Sequence, residues 1–428
     1  MGKLNLYYYI LILLVSVSAV AQTPMTWDEV RQRFEKDNPT LQAGDLNIGE
    51  AKAQEITAYL RPNPEFAVSS DGTQPVPTPG PGNPWQPFVG TEETFNFSYL
   101  HERDHKRELR LESAHKGTTI AVSTQADLKR TLLFSLRSAF VSALQAKAVV
   151  QLAKDNLTYY DHLLEISRIR FKDGAIDRVD LNRLVLQRVQ YESDLETSEV
   201  NLRTAKIALL TLLNGRTPIE KFDVTGAFDF NDQLMPLDQF RQIAVDTRPD
   251  LRAALQALDK SKTDHKLAVS NGSTDPTYSI WWANNPSFNF SPGSVFGRET
   301  LGASVSVPLR IFDRNQGEKL RTRLDITRNE KLVEVTQAQV FNDVDSGYAT
   351  IDSTLNLLRP YKATYLQMST EVRDTILYSY QRGGASLLDF LNAESDYRAV
   401  QRNYLNLIGS YLLAAAQLNL AVGREVLQ

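Results

Sequence analysis

Phe171-Lys172-Asp173-Gly174, followed by Val179-Asp180-Leu181, recurs as Tyr380-Gln381-Arg382-Gly383, followed by Leu388-Asp389-Phe390. Phe171 to Tyr380, Gly174 to Gly383 and Asp180 to Asp389 are each 209 positions apart. Outward from these turns the match continues. Asn38-Pro39-Thr40-Leu41-Gln42-Ala43 pairs with Arg248-Pro249-Asp250-Leu251-Arg252-Ala253, and Asn214-Gly215-Arg216 pairs with Val422-Gly423-Arg424 at a spacing of 208. One supersecondary unit is duplicated, and each copy reads strand, strand, long helix, turn, long helix.

The strands declare themselves by period. Phe66 and Val68 alternate with Ala67 and Ser69, and Phe95, Phe97 and Tyr99 with Asn96 and Ser98. In the second copy Tyr278, Ile280 and Trp282 alternate across Ser279 and Trp281, and Leu301, Ala303, Val305 and Val307 across Gly302, Ser304 and Ser306. Period two gives a sheet with one apolar and one polar face. Aromatics crowd one face and the alternating residues of the other are small or uncharged, which suits a barrel with lipid outside and water inside. A soluble sandwich would fit the same strands. Residues 71–93, with Pro75, Pro77, Pro79, Pro81, Pro84 and Pro87, and residues 284–299 read as long external loops.

The helices follow a heptad seam. Leu132, Leu136, Ala139, Ala143, Ala146, Val150, Ala153, Leu157, Tyr160 and Leu164 step by four and three, and Tyr191, Leu195, Ser198, Leu202, Ala205, Leu209 and Leu212 repeat the pattern. Copy two gives Phe341, Val344, Tyr348, Ile351, Leu355 and Leu358, then Tyr397, Val400, Tyr404, Leu407, Tyr411, Ala414 and Leu418. The first long helix spans about 70 residues, or roughly 105 Å at 1.5 Å per residue, far beyond the needs of a globule. Pro360 is placed to kink its counterpart.

The expected organisation is a signal peptide at 1–21, a first repeat at 22–213, a connecting segment at 214–247 and a second repeat at 248–428. Strands are expected at about 65–70, 94–100, 277–283 and 300–308, and long helices at about 102–171, 177–213, 313–381 and 386–421. Thr26-Trp27-Asp28-Glu29 reads as a capping box. Lys3, the apolar run from Tyr7 to Val17 and Ala19-Val20-Ala21 form a secretory signal with its cleavage site, and no later stretch approaches a membrane helix. The net charge of −4 argues against nucleic acid as a partner. With no cysteine there is neither a disulfide nor an N-terminal Cys to carry a lipid.

Four strands cannot close a barrel, and an open sheet in lipid leaves edge N–H and C=O groups unpaired at several kcal/mol each. Either the sheet avoids the membrane or chains pool strands. Two chains give eight strands and a filled interior, whereas three give twelve and room for a channel.

This layout resembles the TolC-like outer-membrane efflux protein family over nearly the whole mature chain. The resemblance is carried by the duplicated unit, by Phe171-x-x-Gly174 and Tyr380-x-x-Gly383 at the turns, and by Asp180 and Asp389 after them. Arg61-Pro62-Asn63-Pro64 and Pro308-Leu309-x-x-Phe312-Asp313-Arg314-Asn315-Gln316-Gly317 are similar to the heavy-metal cation efflux branch. The resemblance implies a mixed α/β membrane protein, a homotrimer whose four strands per chain make a twelve-stranded β-barrel continued by a long α-helical barrel. It implies the outer membrane of a Gram-negative bacterium, a periplasmic adaptor protein, and an inner-membrane pump of the resistance-nodulation-division type. Phe171, Gly174 and Gly383 fall at adaptor-docking tips. Asp180 and Tyr380 fall where neighbouring helices are held closed, and Asp389 and Asn392 at the inner constriction. The position that often bears a gate arginine is Ala385 here, which leaves Arg382 or Arg178 as replacements.

Rings of carboxylates at a narrow end favour cations. The resulting expectation is a passive exit duct of a tripartite efflux system, exporting metal cations, with no cofactor and no enzymatic activity. A duct for type I protein secretion would use the same parts, and a periplasmic coiled-coil scaffold would use the helices alone. A different class is open at His101-Glu102-Arg103-Asp104-His105, which matches the H-E-x-x-H zinc peptidase motif. Its charged surroundings favour a strand-to-helix junction instead, since zinc ligands need apolar support. No P-loop, dinucleotide fingerprint or nucleophile–base pair is present.

Overall fold

The computed structural model describes residues 24–73, 75–77, 80, 85, 87–88, 91–284 and 299–427. The signal peptide expected at 1–21, parts of the first long loop and residues 285–298 of the second lie outside the described residues.

Each copy opens with a short helix and a longer one. Helix α1 (Trp27–Asp37) starts at the capping box, in which the Glu29 backbone N–H donates to the Thr26 hydroxyl and the Glu29 carboxylate accepts from the Thr26 N–H at 2.8 Å. It stops at extended Asn38, as a residue before proline should. Pro39 then begins α2 (Pro39–Tyr59). The order after that is β1 (Glu65–Asp71), β2 (Glu92–Leu100), α3 (Lys106–Lys172) and α4 (Arg178–Leu212). Copy two repeats it as α5 (Leu237–Thr247), α6 (Pro249–Ser270), β3 (Thr277–Asn284), β4 (Glu299–Ser306), α7 (Gln316–Pro360), α8 (Leu366–Gln381) and α9 (Leu387–Val422). Helix α5 ends on extended Arg248 before Pro249, just as α1 ends before Pro39. The second unit therefore opens at Leu237, inside the segment expected to be a connector.

The four strands form one antiparallel sheet in the order β1-β2-β3-β4, so β1 and β4 are its edges. Register sorts the side chains onto two faces. Phe66, Phe97, Ile280 and Ala303 make one row, Val68, Phe95, Trp282 and Leu301 the next, and Tyr99, Tyr278 and Val305 a third. Phe66 and Phe95 rings lie 6.4 Å apart and Phe95 and Trp282 5.5 Å apart, so aromatic contact crosses three strands. This apolar face is bare: Phe66 is 67% exposed and Leu301 81%. The opposite face carries Ser98, Ser279 and Ser304 in one row and Thr94 and Thr300 in another. In the central strands Ser98 and Ser279 are better hidden than Phe95 and Phe97, which points to an apolar solvent on the aromatic face.

Contacts group the chain into two compact units. Unit two holds residues 39–132, 235–350 and 417–428, including the sheet. Within it Arg248 is buried, bonded to Asp250 at 2.6 Å, Asp343 at 2.7 Å and the Ala421 carbonyl at 3.2 Å. Lys106, also buried, meets Asp275 at 2.6 Å.

Unit one holds residues up to 38, 133–234 and 351–416. Its core follows the heptads. Leu136, Ala143, Val150, Ala153, Tyr160 and Leu164 of α3 are buried, as are Tyr191, Ser198 and Leu209 of α4, and Tyr411 and Ala414 of α9. The small seam residues allow close approach: a methyl group added to Gly409 would overlap the Gln145 side chain. Met25 pairs with Val224 in parallel, and Lys147 holds Asp223 at 2.6 Å.

Two sequence expectations need correction, the spacing of 208 and the absence of membrane-length windows, and two others gain detail. The H-E-x-x-H segment is not helical, because α3 starts only at Lys106 and both Asp104 and His105 have positive φ (54° and 56°). His101 and His105 thus share no helical face, Glu102 bonds Arg110 at 2.9 Å, and the His101 ring packs edge-on against Tyr278. The spacing of 208 at the ends of the copies resolves to 209, since Asn214 (φ 49°) and Gly423 (φ 89°) take the same left-handed role after α4 and α9. Pro360 produces a π-helical turn, Tyr361–Tyr365, between α7 and α8. Finally, α3 and α9 do contain windows of mean hydropathy 1.2 and 1.4 that meet the length and composition of a membrane helix. In α9 most of that window is buried seam, which explains its apolarity without lipid.

Candidate functional site

The two helical turns of unit one bring the sequence-singled residues together. At the first, Gly174 has φ 74°, its N–H bonds the Phe171 carbonyl at 3.1 Å, and Ala175 N–H reaches back to the Arg170 carbonyl at 2.8 Å. At the second, Gly383 has φ 77°, its N–H bonds the Tyr380 carbonyl at 3.1 Å, and Gly384 N–H reaches the Ser379 carbonyl at 2.9 Å. Both helices end in the same Schellman-type closure, whose left-handed residue favours glycine. Phe171 is exposed beside the first turn.

Each following helix starts with a side-chain cap that uses the singled-out aspartate. Asp180 N–H donates to Asp177 Oδ1 at 2.7 Å, and its own carboxylate lies 4.0 Å from Arg183. Asp389 makes a reciprocal box: its N–H donates to Ser386 Oγ at 3.1 Å, and its carboxylate accepts from Ser386 N–H at 3.0 Å and Oγ at 2.7 Å. The Ser386 hydrogen bonds hold the exposed Asp389 carboxyl below its usual range. Asn392, one turn on, is exposed as well.

Tyr380 faces inward. Only 7% exposed, it stacks on Phe390 at 5.5 Å and lies under the Arg170 guanidinium at 5.3 Å. Its core companions are Tyr160, Leu163, Leu164, Leu184, Tyr191 and Leu387, and Ala385 packs against them. An arginine at 385 would have to leave that apolar contact. Arg382 sits 3.6 Å above the Tyr378 ring.

Residue patterns missed the charged cluster just behind. Glu394 is 2% exposed; its Oε1 accepts from Tyr191 at 3.4 Å, and its Oε2 has no partner among the described residues. Burial pushes its carboxyl up, against the pull of Arg373 and Arg398. Arg373 lies 4.0 Å from the Tyr397 ring and Arg398 4.2 Å from Tyr191. Burial also pushes the Tyr159 phenol up to about 12. The available signal was an acid four residues after Phe390 and three before Tyr397, on an otherwise apolar seam.

The outer membrane efflux protein family matches residues 241–424, from within α5 through α9. That match spans 184 of the 428 residues, most of the second copy of the repeat. The chain is similar to the cobalt-zinc-cadmium resistance protein CzcC of Cupriavidus metallidurans, 21% identical over 418 residues, covering 94% of this chain and 91% of the relative. Its fold matches CusC with a TM-score of 0.77 at 16% identity, over 93% of this chain and 92% of that one. It matches the CmeC outer membrane channel of Campylobacter jejuni with a TM-score of 0.72 at 15% identity, over 94% and 87%. The fold shared with these solved structures accounts for the duplicated helices and the four-stranded sheet.

Proposed function

We propose that three copies of this chain pool their strands into one closed twelve-stranded barrel and their long helices into a helical barrel, making a passive exit duct of a tripartite efflux system. The observation that carries this reading is the sheet itself. Its apolar face is bare and, among the described residues, its edges β1 and β4 pair with no further strand. Lipid satisfies the first and only neighbouring strands satisfy the second.

The turns at Phe171, Gly174 and Gly383 would meet the periplasmic adaptor, and an inner-membrane pump would supply the energy. Methyl groups added at Gly174 or Gly383 would meet nothing within 4 Å, so these tips leave room for a partner. Asp389 and Asn392 would line the constriction, with Asp180 and Tyr380 at helix contacts around it. Heavy-metal cations are the proposed cargo, supported by the likeness to a cobalt-zinc-cadmium resistance protein and by the lowered pKa of the exposed Asp389 carboxyl.

The test is mass in detergent together with conductance in planar bilayers. A trimer that forms cation-preferring channels is expected. A detergent-independent monomer, or a protein giving no conductance, would overturn the proposal.

A further inference from the structure

The polar face of the sheet has one aromatic residue among the described positions. Its central row runs Ala67, Asn96, Trp281, Gly302 across the four strands. The flanking rows are Ser69, Thr94, Ala283, Thr300 and Glu65, Ser98, Ser279, Ser304. Trp281 thus stands alone among small residues, while its neighbour Trp282 joins Phe95 on the opposite face.

The indole is also seated. Its ring lies over Gly302 so closely that a methyl group built there would overlap it. Glycine within a strand costs stability, and a close approach is one of the few reasons to place it there. Here the approach is by an aromatic ring from the neighbouring strand.

Charge on this face has one sign. The described strand residues that share it include Glu65, Asp71 and Glu92, with Asp71 and Glu92 paired directly across β1 and β2, and no lysine or arginine. Polar-face positions of β2 are also more shielded than the aromatic ones, the signature of a sheet that curls towards its polar side.

We propose that Trp281, seated on Gly302, faces the water-filled interior of the barrel and is a permeation contact for organic cations. The step rests on the barrel reading above. Threefold assembly places three indole faces around one lumen whose strand-borne charges are carboxylates. An aromatic face attracts cations through its quadrupole, most strongly those with weakly held hydration. Gly302 keeps the ring against the wall, so the barrel gains a binding surface without being plugged.

Two measurements on the full chain test this. In single-tryptophan variants in which phenylalanine replaces the other tryptophans, brominated phosphatidylcholine is expected to quench Trp282 and not Trp281, while aqueous acrylamide quenches Trp281. In planar bilayers, tetrabutylammonium block of Trp281→Ala channels should be roughly two- to fivefold weaker than in the parent, with Trp281→Phe intermediate. Gly302→Ala, which unseats the ring without removing it, should alter the block while leaving the trimer intact. Lipid quenching of Trp281, or unchanged block in Trp281→Ala channels, would overturn the inference and leave the duct standing. Absence of lipid quenching at both tryptophans would instead remove the barrel, and this contact with it.

Discussion

The two copies descend to their turns differently. In the first, α3 runs unbroken for 67 residues. In the second, Pro360 ends α7 and the five residues of the π-helical turn intervene before α8. Proline lacks an N–H and its ring crowds the carbonyl four residues back, so the chain absorbs the mismatch as a wider turn. Around this turn Arg359 holds Asp232 at 2.6 Å and Lys362 sits 4.8 Å from the Phe230 ring. One descending helix is a continuous rod and the other has a built-in joint. The joint belongs to the copy that carries Tyr380, Asp389 and the buried Glu394. Duplication supplied the frame, and divergence put adjustability and buried charge on one side of it.

The deepest difference between the copies lies where each second long helix ends. In copy one Asn38 donates to the Leu212 carbonyl at 3.1 Å, and in copy two Arg248 donates to the matching Ala421 carbonyl. Arg248 additionally holds Asp250 and Asp343. Arg248→Ala should cost about 3–5 kcal/mol, because it strands two partly buried carboxylates. Asn38→Ala should cost only about 1–2 kcal/mol. Chemical unfolding in detergent gives both values, and equal losses would break the asymmetry.

The paired aspartates come next. Asp389→Asn is expected to reduce cation preference in planar bilayers severalfold, while Asp180→Asn, whose parent charge is partly offset by Arg183, changes it less. Because Ser386 lowers the Asp389 pKa, its charge should persist as pH falls through the ordinary carboxylate range, and Ser386→Ala should move the loss of selectivity to higher pH. Unchanged selectivity in Asp389→Asn would remove it from the constriction.

The turn glycines should behave alike. Gly174→Ala and Gly383→Ala each impose a left-handed backbone on a residue with a Cβ, at about 1–2 kcal/mol, with no steric clash. Export should fall further than that stability loss explains if adaptors dock there; export that tracks stability alone would undo the docking role.

The smallest effect belongs to Glu394, whose copy-one counterpart is the exposed Val185. Its pKa is raised in the folded state, so its contribution favours folding at low pH and is lost as pH rises from the unfolded towards the folded value. Glu394→Gln should therefore raise the thermal midpoint at neutral pH by a few degrees, on the order of 1 kcal/mol, with the gain vanishing in acid. A gain that persists in acid would show that charge burial is not its source.

Much of this was legible in the residues. A spacing of 209, heptads such as Ala143, Val150, Ala153 and Tyr160, and the alternation of Phe95 and Phe97 with Asn96 each report a local periodicity that packing then uses. What escaped depended on three-dimensional context. Glu394 reads as one more surface acid until the turn of α9 places it beside Tyr191. His101 and His105 match a motif only if the backbone is helical, and two positive φ angles prevent that. The equivalence of Asn214 and Gly423 is conformational, because different residues fill the same left-handed position.

The edge strands β1 and β4 also bear on how the protein is made. If strands are pooled between copies as proposed, a newly exported chain cannot complete its membrane portion by itself, and insertion and subunit association occur as one event. Its rate will rise steeply with the local supply of chains, and periplasmic chaperones that mask the strands become part of the pathway. A cell that exports these polypeptides faster than they find sisters will accumulate aggregates in place of pores.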